Sequence, residues 1–194
     1  MDTKKTKKLN APKDWSEVTL NQAIRMNELV TAITDDNVEE AVDELVKMFN
    51  SKDYLMAINF DFKEVIQCYR RIIEVMSHSI VPKDVSSYIV DGETYHIAKP
   101  EDIDFQSYID ITYINGEGDV IERMKKASLV ISILTENRPE EPKAWADKVA
   151  DNVSVEDALG MVLFFSSELQ RYMLAIRQSS HQEEIPERKT KKTE

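Results

Sequence analysis

Apolar residues recur every three or four positions along most of the chain, the interval that gathers them on one face of an α-helix. Leu20, Ile24 and Val30 form the first stripe, with Ala23 and Met26 beside it. Thr19 and Gln22 precede it at the spacing of a capping box, in which each side chain accepts a backbone N–H from the other residue. Trp15, ahead of the cap, is expected to anchor the N-terminus by folding back on that first turn. A second stripe, from Val38 through Val42 and Leu45 to Phe49, predicts a helix over 38–49 opened by Asp35 or Asp36, with Glu39, Glu40, Asp43 and Glu44 turned to solvent. A third, from Phe62 through Tyr69 to Met76, predicts a helix over 62–77 capped by Asp61. Residues 54–60 carry no clear period and read as one short helix.

The second half of the chain repeats the pattern. Phe105, Tyr108, Ile109 and Thr112 predict a helix that the run 115–119, with its two glycines, breaks. Ile121, Met124, Ala127, Ser128, Ile131 and Leu134 predict a helix over 120–135. Trp145 and Val149 centre a short one over 143–151. Ser154 and Asp157 open the longest, over 155–178, whose broad face runs from Val155 through Phe165 to Ile176. That breadth makes it the expected pillar of the core.

One stretch breaks the helical period. Between Pro82 and Pro100, residues 86–97 switch to alternation around Asp91-Gly92, a dipeptide that tolerates the positive φ angles of a type I′ hairpin turn. Tyr88, Val90, Tyr95 and Ile97 can share faces across that turn. A lone two-stranded hairpin is marginal in water, so it must dock on the helices, pair with another strand or wait for a partner. The predicted fold is mainly α: a bundle of about six to seven helices with one small hairpin near residues 86–97. The expected division is a disordered basic tail over 1–13, one helical domain over 14–180 with sub-blocks 14–81 and 100–180, and a disordered tail over 181–194.

Composition narrows the class. At 194 residues, with 42% hydrophobic and 31% charged, the chain is long enough for a sizeable core. The net charge of −11 is uneven: residues 1–13 carry +4, residues 185–194 carry +2, and the body between them carries −17. An acidic body repels phosphate backbones, which disfavours nucleic acid as the main ligand. No apolar run approaches the roughly 20 residues a bilayer-spanning helix needs, and no signal-peptide pattern stands at the start. One cysteine, Cys68, allows no internal disulfide and suits a reducing compartment.

Catalytic chemistry finds little footing. His78, His96 and His181 are far apart and lack zinc-ligand spacing. There is no nucleophile elbow, HExxH, dinucleotide fingerprint or P-loop. Glu101, Asp102 and Asp104 cluster, but without the glycine and distal glutamate of an EF-hand loop; Asp102 or Asp104 reads better as a helix cap. Cys68 has no local base and reads as a small core residue. The chain is therefore read as non-enzymatic, with no cofactor and no metal.

Three features together carry a resemblance: the run Asp14-Trp15-Ser16-Glu17-Val18-Thr19-Leu20 before a helix, the Val81-Pro82 break leading to the hairpin and then the acidic stretch around Asp102-Ile103-Asp104, and the late Phe164-Phe165 helix. In this order of elements, over roughly residues 14–178, the chain resembles small helical proteins of tailed bacteriophages of the tail-assembly chaperone type. The resemblance implies a protein partner, such as a phage tail or other virion protein, and a place in the host cytoplasm or the virion. On the residues, the expected contact surface is the hairpin, Tyr88, Ile89, Val90, Tyr95 and Ile97, offering an edge to a partner strand. The alternative is that these residues pack on the protein's own helices. Competing functions are a structural connector or ring subunit of the virion, an acidic regulator of a basic host protein, and, last, an enzyme with a carboxylate-only metal site.

Overall fold

A computed structural model describes residues 9–50, 61–114 and 120–182. Among them are seven α-helices and one hairpin: α1 (Leu20–Thr31), α2 (Val38–Met48), α3 (Phe62–Ser77), β1 (Ser87–Val90), β2 (Glu93–His96), α4 (Phe105–Ile114), α5 (Val120–Leu134), α6 (Pro142–Asn152) and α7 (Val155–Gln182). The fold is mainly α with one small antiparallel hairpin, as the periodicity predicts. The ambiguous run 54–60 lies outside the described residues.

Local chemistry sets the ends of these elements. The capping box forms: Gln22 N–H donates to Thr19 Oγ1 at 3.3 Å, and Thr19 N–H donates to Gln22 Oε1 at 3.0 Å. Ser154 caps α7 by accepting from Asp157 N–H at 3.1 Å. The two capped starts lie side by side, joined by Leu20 N–H to the Val153 carbonyl at 3.0 Å and Val155 N–H to the Val18 carbonyl at 2.9 Å. Of the two acids proposed to open α4, Asp104 is the cap: its carboxylate accepts from the Ser107 N–H and hydroxyl, both at 2.8 Å, which lowers its pKa from the usual aspartate value. At α2 the expectation fails. The N-cap is Asn37, not Asp35 or Asp36, and its amide is spent on the Thr34 N–H and the Ala32 carbonyl of the preceding turn.

The core is one continuous cluster reaching from Leu9 to Phe165, so the two sub-blocks share it. Its centre is α5, which packs against α1, α4, α6 and α7. The expected pillar, α7, fills the core only over its first three turns, through Val155, Ala158, Met161 and Phe165.

The N-terminal expectation needs correction. Residues 9–13 are not a loose tail: Leu9 is buried in the core. Asn50 treats Asn10 as a strand would, accepting its N–H at 2.8 Å and donating to its carbonyl at 2.9 Å. The lysines around Leu9 masked an apolar anchor in the composition. Residues 1–8 and 183–194 lie outside the described residues, and α7 runs two residues into the tail expected over 181–194. Trp15 does anchor the N-terminus, but across the fold: its indole N–H donates to the His78 carbonyl at 2.9 Å, at the end of α3.

Candidate partner-binding surfaces

The hairpin turn has the expected chemistry, with Asp91 at φ 52 and Gly92 at φ 84. Its register pairs Tyr88 with Tyr95 and Val90 with Glu93. The five residues proposed to meet a partner do not form one exposed face. Tyr88, Val90 and Ile97 are buried, Tyr95 is half-buried, and Ile89 alone projects, 61% exposed. Alternation identified which residues share a face; that face turns inward.

What holds it there is a closed hydrogen-bond chain. The Trp145 indole N–H donates to the Tyr88 hydroxyl at 2.8 Å. The Thr135 hydroxyl donates to the Ile131 carbonyl at 2.7 Å. Thr135 has then used its only proton, so Tyr88 donates to Thr135 Oγ1, 2.5 Å away. Among the described residues, every buried side-chain nitrogen and oxygen has a hydrogen-bond partner. Burial pushes the Tyr88 phenol above its ordinary pKa. The Tyr95 ring stands edge-on to Trp145 at 4.8 Å between centroids, and closes the cluster from outside.

Edge pairing is also restricted. The far edge of β2 is taken at its end by the segment after α5: Glu136 N–H donates to the His96 carbonyl at 3.0 Å and, just past the strand, Ala98 N–H donates to the Leu134 carbonyl at 2.8 Å. The edge of β1 that remains faces away from β2 at Ser87 and Ile89, too short a run to template a strand by itself.

Apolar surface gathers elsewhere. The segment after α3 crosses α7 so closely that a Cβ on Gly160 would lie 1.6 Å from the Lys83 carbonyl oxygen. The Lys83 N–H donates to the Glu156 carbonyl at 3.3 Å, and its ammonium lies 3.4 Å from the Glu156 carboxylate. Beside this crossing a groove of about 360 Å³ opens along α7, with Pro82, Leu163 and Phe164 in its wall and Lys83, Asp84, Glu168 and Arg171 around it. Val81, next to Pro82, is 66% exposed, Leu163 46%, and Leu174, on the same side of α7, 56%. The sequence marks Val81-Pro82 as a break and Phe164 as part of the last helix, but does not show that the two meet at a groove. One signal for them was present: a lone glycine in an apolar helix marks a close approach.

Among the described residues, no group of three or more His, Cys, Asp or Glu could hold a metal ion. Burial raises the Cys68 pKa, the wrong direction for a nucleophile, and its thiol hydrogen-bonds to the Asn10 carbonyl at 3.1 Å. No described helix is long and apolar enough to cross a membrane. No protein family, curated protein sequence or solved structure matches the chain.

Proposed function

We propose that this protein is a non-enzymatic binding protein of bacteriophage tail assembly, holding an apolar segment of a virion component in the host cytoplasm. The observation that carries the binding role is the groove beside the crossing, with Pro82, Leu163 and Phe164 in its wall and the exposed Val81 and Leu174 beyond its two ends. Leu163 and Leu174 are eleven residues apart, about 16 Å along a helix. Two exposed leucines that far apart, with Ser167 and Arg171 between them, suit an extended or helical segment of a protein better than a compact small molecule. The surrounding charges are mixed, Lys83 and Arg171 against Asp84 and Glu168, so the acidic body does not impose one sign on the partner here. The tail-assembly context comes from the resemblance in the order of elements.

The test is affinity purification of the tagged chain from host cells infected with the source phage, with Leu163→Asp/Leu174→Asp as the control. Recovery of a tail protein by the parent, lost in the variant, supports the reading. Recovery of the same protein by both would remove the groove from it. A fixed copy number of this chain in purified particles would replace the chaperone role with that of a structural subunit.

A further inference from the structure

Two helices form a layer apart from the rest of the bundle. α3 packs chiefly on α2, and α2 in turn on α1, whereas α1, α4, α6 and α7 gather on α5. Both connections of the α2–α3 pair to the body are exposed: residues 34–36 before α2, and His78 and Ser79 after α3. α2 also starts without a side-chain hydrogen bond from its N-cap to its first turn. Arg25 and Glu44 form an ion pair between α1 and α2, but both side chains are well exposed, so the pair holds the layer only weakly.

One short stretch fastens this pair. The Asn10 N–H donates to Asn50 Oδ1, just past α2, at 2.8 Å. The Asn10 carbonyl accepts from Asn50 Nδ2 at 2.9 Å and from the Cys68 thiol, midway along α3, at 3.1 Å. A single residue therefore ties both helices. Leu9 and Pro12 beside it are buried, and Asn50 is 4% exposed. From there the chain reaches the turn Trp15–Glu17, which packs on α7. The Trp15 indole is bonded to the His78 carbonyl, at the second exposed connection. Residues 9–12 grip the two helices, and Trp15 holds the point on which they would turn.

We propose that α2 and α3 open from the body as one unit, turning on residues 34–36 and 78–79, with residues 9–12 as the strap that holds them shut. Opening exchanges the Asn10 bonds for bonds to water, so its cost is set mainly by the apolar surface it uncovers on α2 and α3, where Leu45, Val46, Ile72 and Val75 are buried. That cost is below the cost of unfolding the whole chain, because the helices gathered on α5 stay packed. The opened form is a minor species at equilibrium. The movement uses none of the groove residues and does not depend on the proposed function.

Cys68, the chain's one cysteine, is buried and serves as the reporter. The test is its alkylation by iodoacetamide in the folded full-length chain, with global unfolding followed by circular dichroism in urea. The thiol is expected to react at least about tenfold faster than global unfolding allows. Asn50→Ala, which removes the strap's bonds to α2, is expected to speed alkylation by a further factor of about ten. Tyr88→Phe, which loosens the hairpin in the body, is expected to lower global stability and leave the alkylation rate unchanged, because the opened form keeps the hairpin packed. Amide hydrogen exchange is expected to show α2 and α3 exchanging together, ahead of α5 and the first three turns of α7. Alkylation that keeps pace with global unfolding, and so is accelerated by Tyr88→Phe, overturns the proposal. So does alkylation that Asn50→Ala leaves unchanged, since the thiol would then be reached without release of the strap. Fast alkylation with the α2 and α3 amides still protected also overturns it, because the strap alone would then fray.

Discussion

The hairpin and the second half of α7 exchange the roles their sequences suggest. The hairpin, marginal alone, had either to meet a partner or to pack on the protein's own helices, and it packs: Tyr88 and Val90 lie in the core at 6% and 1% exposure. The α7 stripe was expected to be a main pillar of the core, yet residues 170–175 are exposed. The difference shows what periodicity encodes. It says which residues share a face, because side-chain direction follows backbone geometry. It does not say whether another element covers that face. Coverage depends on contacts distant in sequence, here Tyr88 with Thr135 and Trp145, 47 and 57 residues away.

The sharpest way to break the comparison is to cut the same stripe of α7 on both sides of its exit. Phe165→Ala is expected to cost about 3–5 kcal/mol in urea unfolding, because a fully buried ring leaves a cavity. Tyr172→Ala, two turns on, is expected to change monomer stability by no more than about 0.5 kcal/mol. Equal losses would mean that α7 is covered along its whole length. Next in size is Gly160→Ala. In a free helix alanine would gain about 1 kcal/mol over glycine. Here its methyl meets the Lys83 backbone, and overpacking that forces backbone to move costs about 1–3 kcal/mol or more. The expected net is a loss of about 2 kcal/mol together with a reshaped groove. A stabilised Gly160→Ala protein would show that the crossing gives way easily.

The elements were largely legible, for local reasons. The capping pairs Thr19/Gln22 and Ser154/Asp157, the Asp91-Gly92 turn and the helical stripes all act within a few residues, so the sequence displays them directly. What could not be read required long-range placement. Leu9 looked like part of a lysine tail until Asn50, 40 residues from Asn10, supplied the hydrogen bonds of an absent strand. The groove required knowing that residues 81–84 cross α7 at its one glycine, and only that lone Gly160 hinted at it. The acidic run at 101–104 was ambiguous between a cation site and a helix cap; the Ser107 bonds make Asp104 a cap.

Smaller effects probe how firmly the hairpin is held. Tyr88→Phe keeps the ring but leaves the buried Trp145 N–H without its acceptor, at an expected cost of about 1–3 kcal/mol. Ile89→Ala, one residue along, is expected to fall within about 0.5 kcal/mol. If the two were equal, the hairpin would not be latched through this chain of bonds.

The smallest prediction comes from the same phenol. Burial raises the folded-state pKa of Tyr88 above its unfolded value near 10. Between the two values the unfolded chain has released the proton and the folded chain still holds it, so raising the pH favours unfolding. The contribution is fully present below about pH 10 and is lost as pH rises through the folded pKa, with a slope of at most about 1.4 kcal/mol per pH unit for one proton. Tyr95 is also raised, first by its hydrogen bond to Glu93; that cause is present in both proteins and cancels in the difference, and only the lesser effect of the Tyr88 charge on Tyr95 does not. The stability gap between the parent and Tyr88→Phe, followed by urea unfolding from pH 8 to about 11, is therefore expected to hold steady and then narrow above pH 10. Parallel curves across that range would mean that Tyr88 ionises as readily in the folded protein as in the unfolded chain, and would place the hairpin's inner face in contact with water.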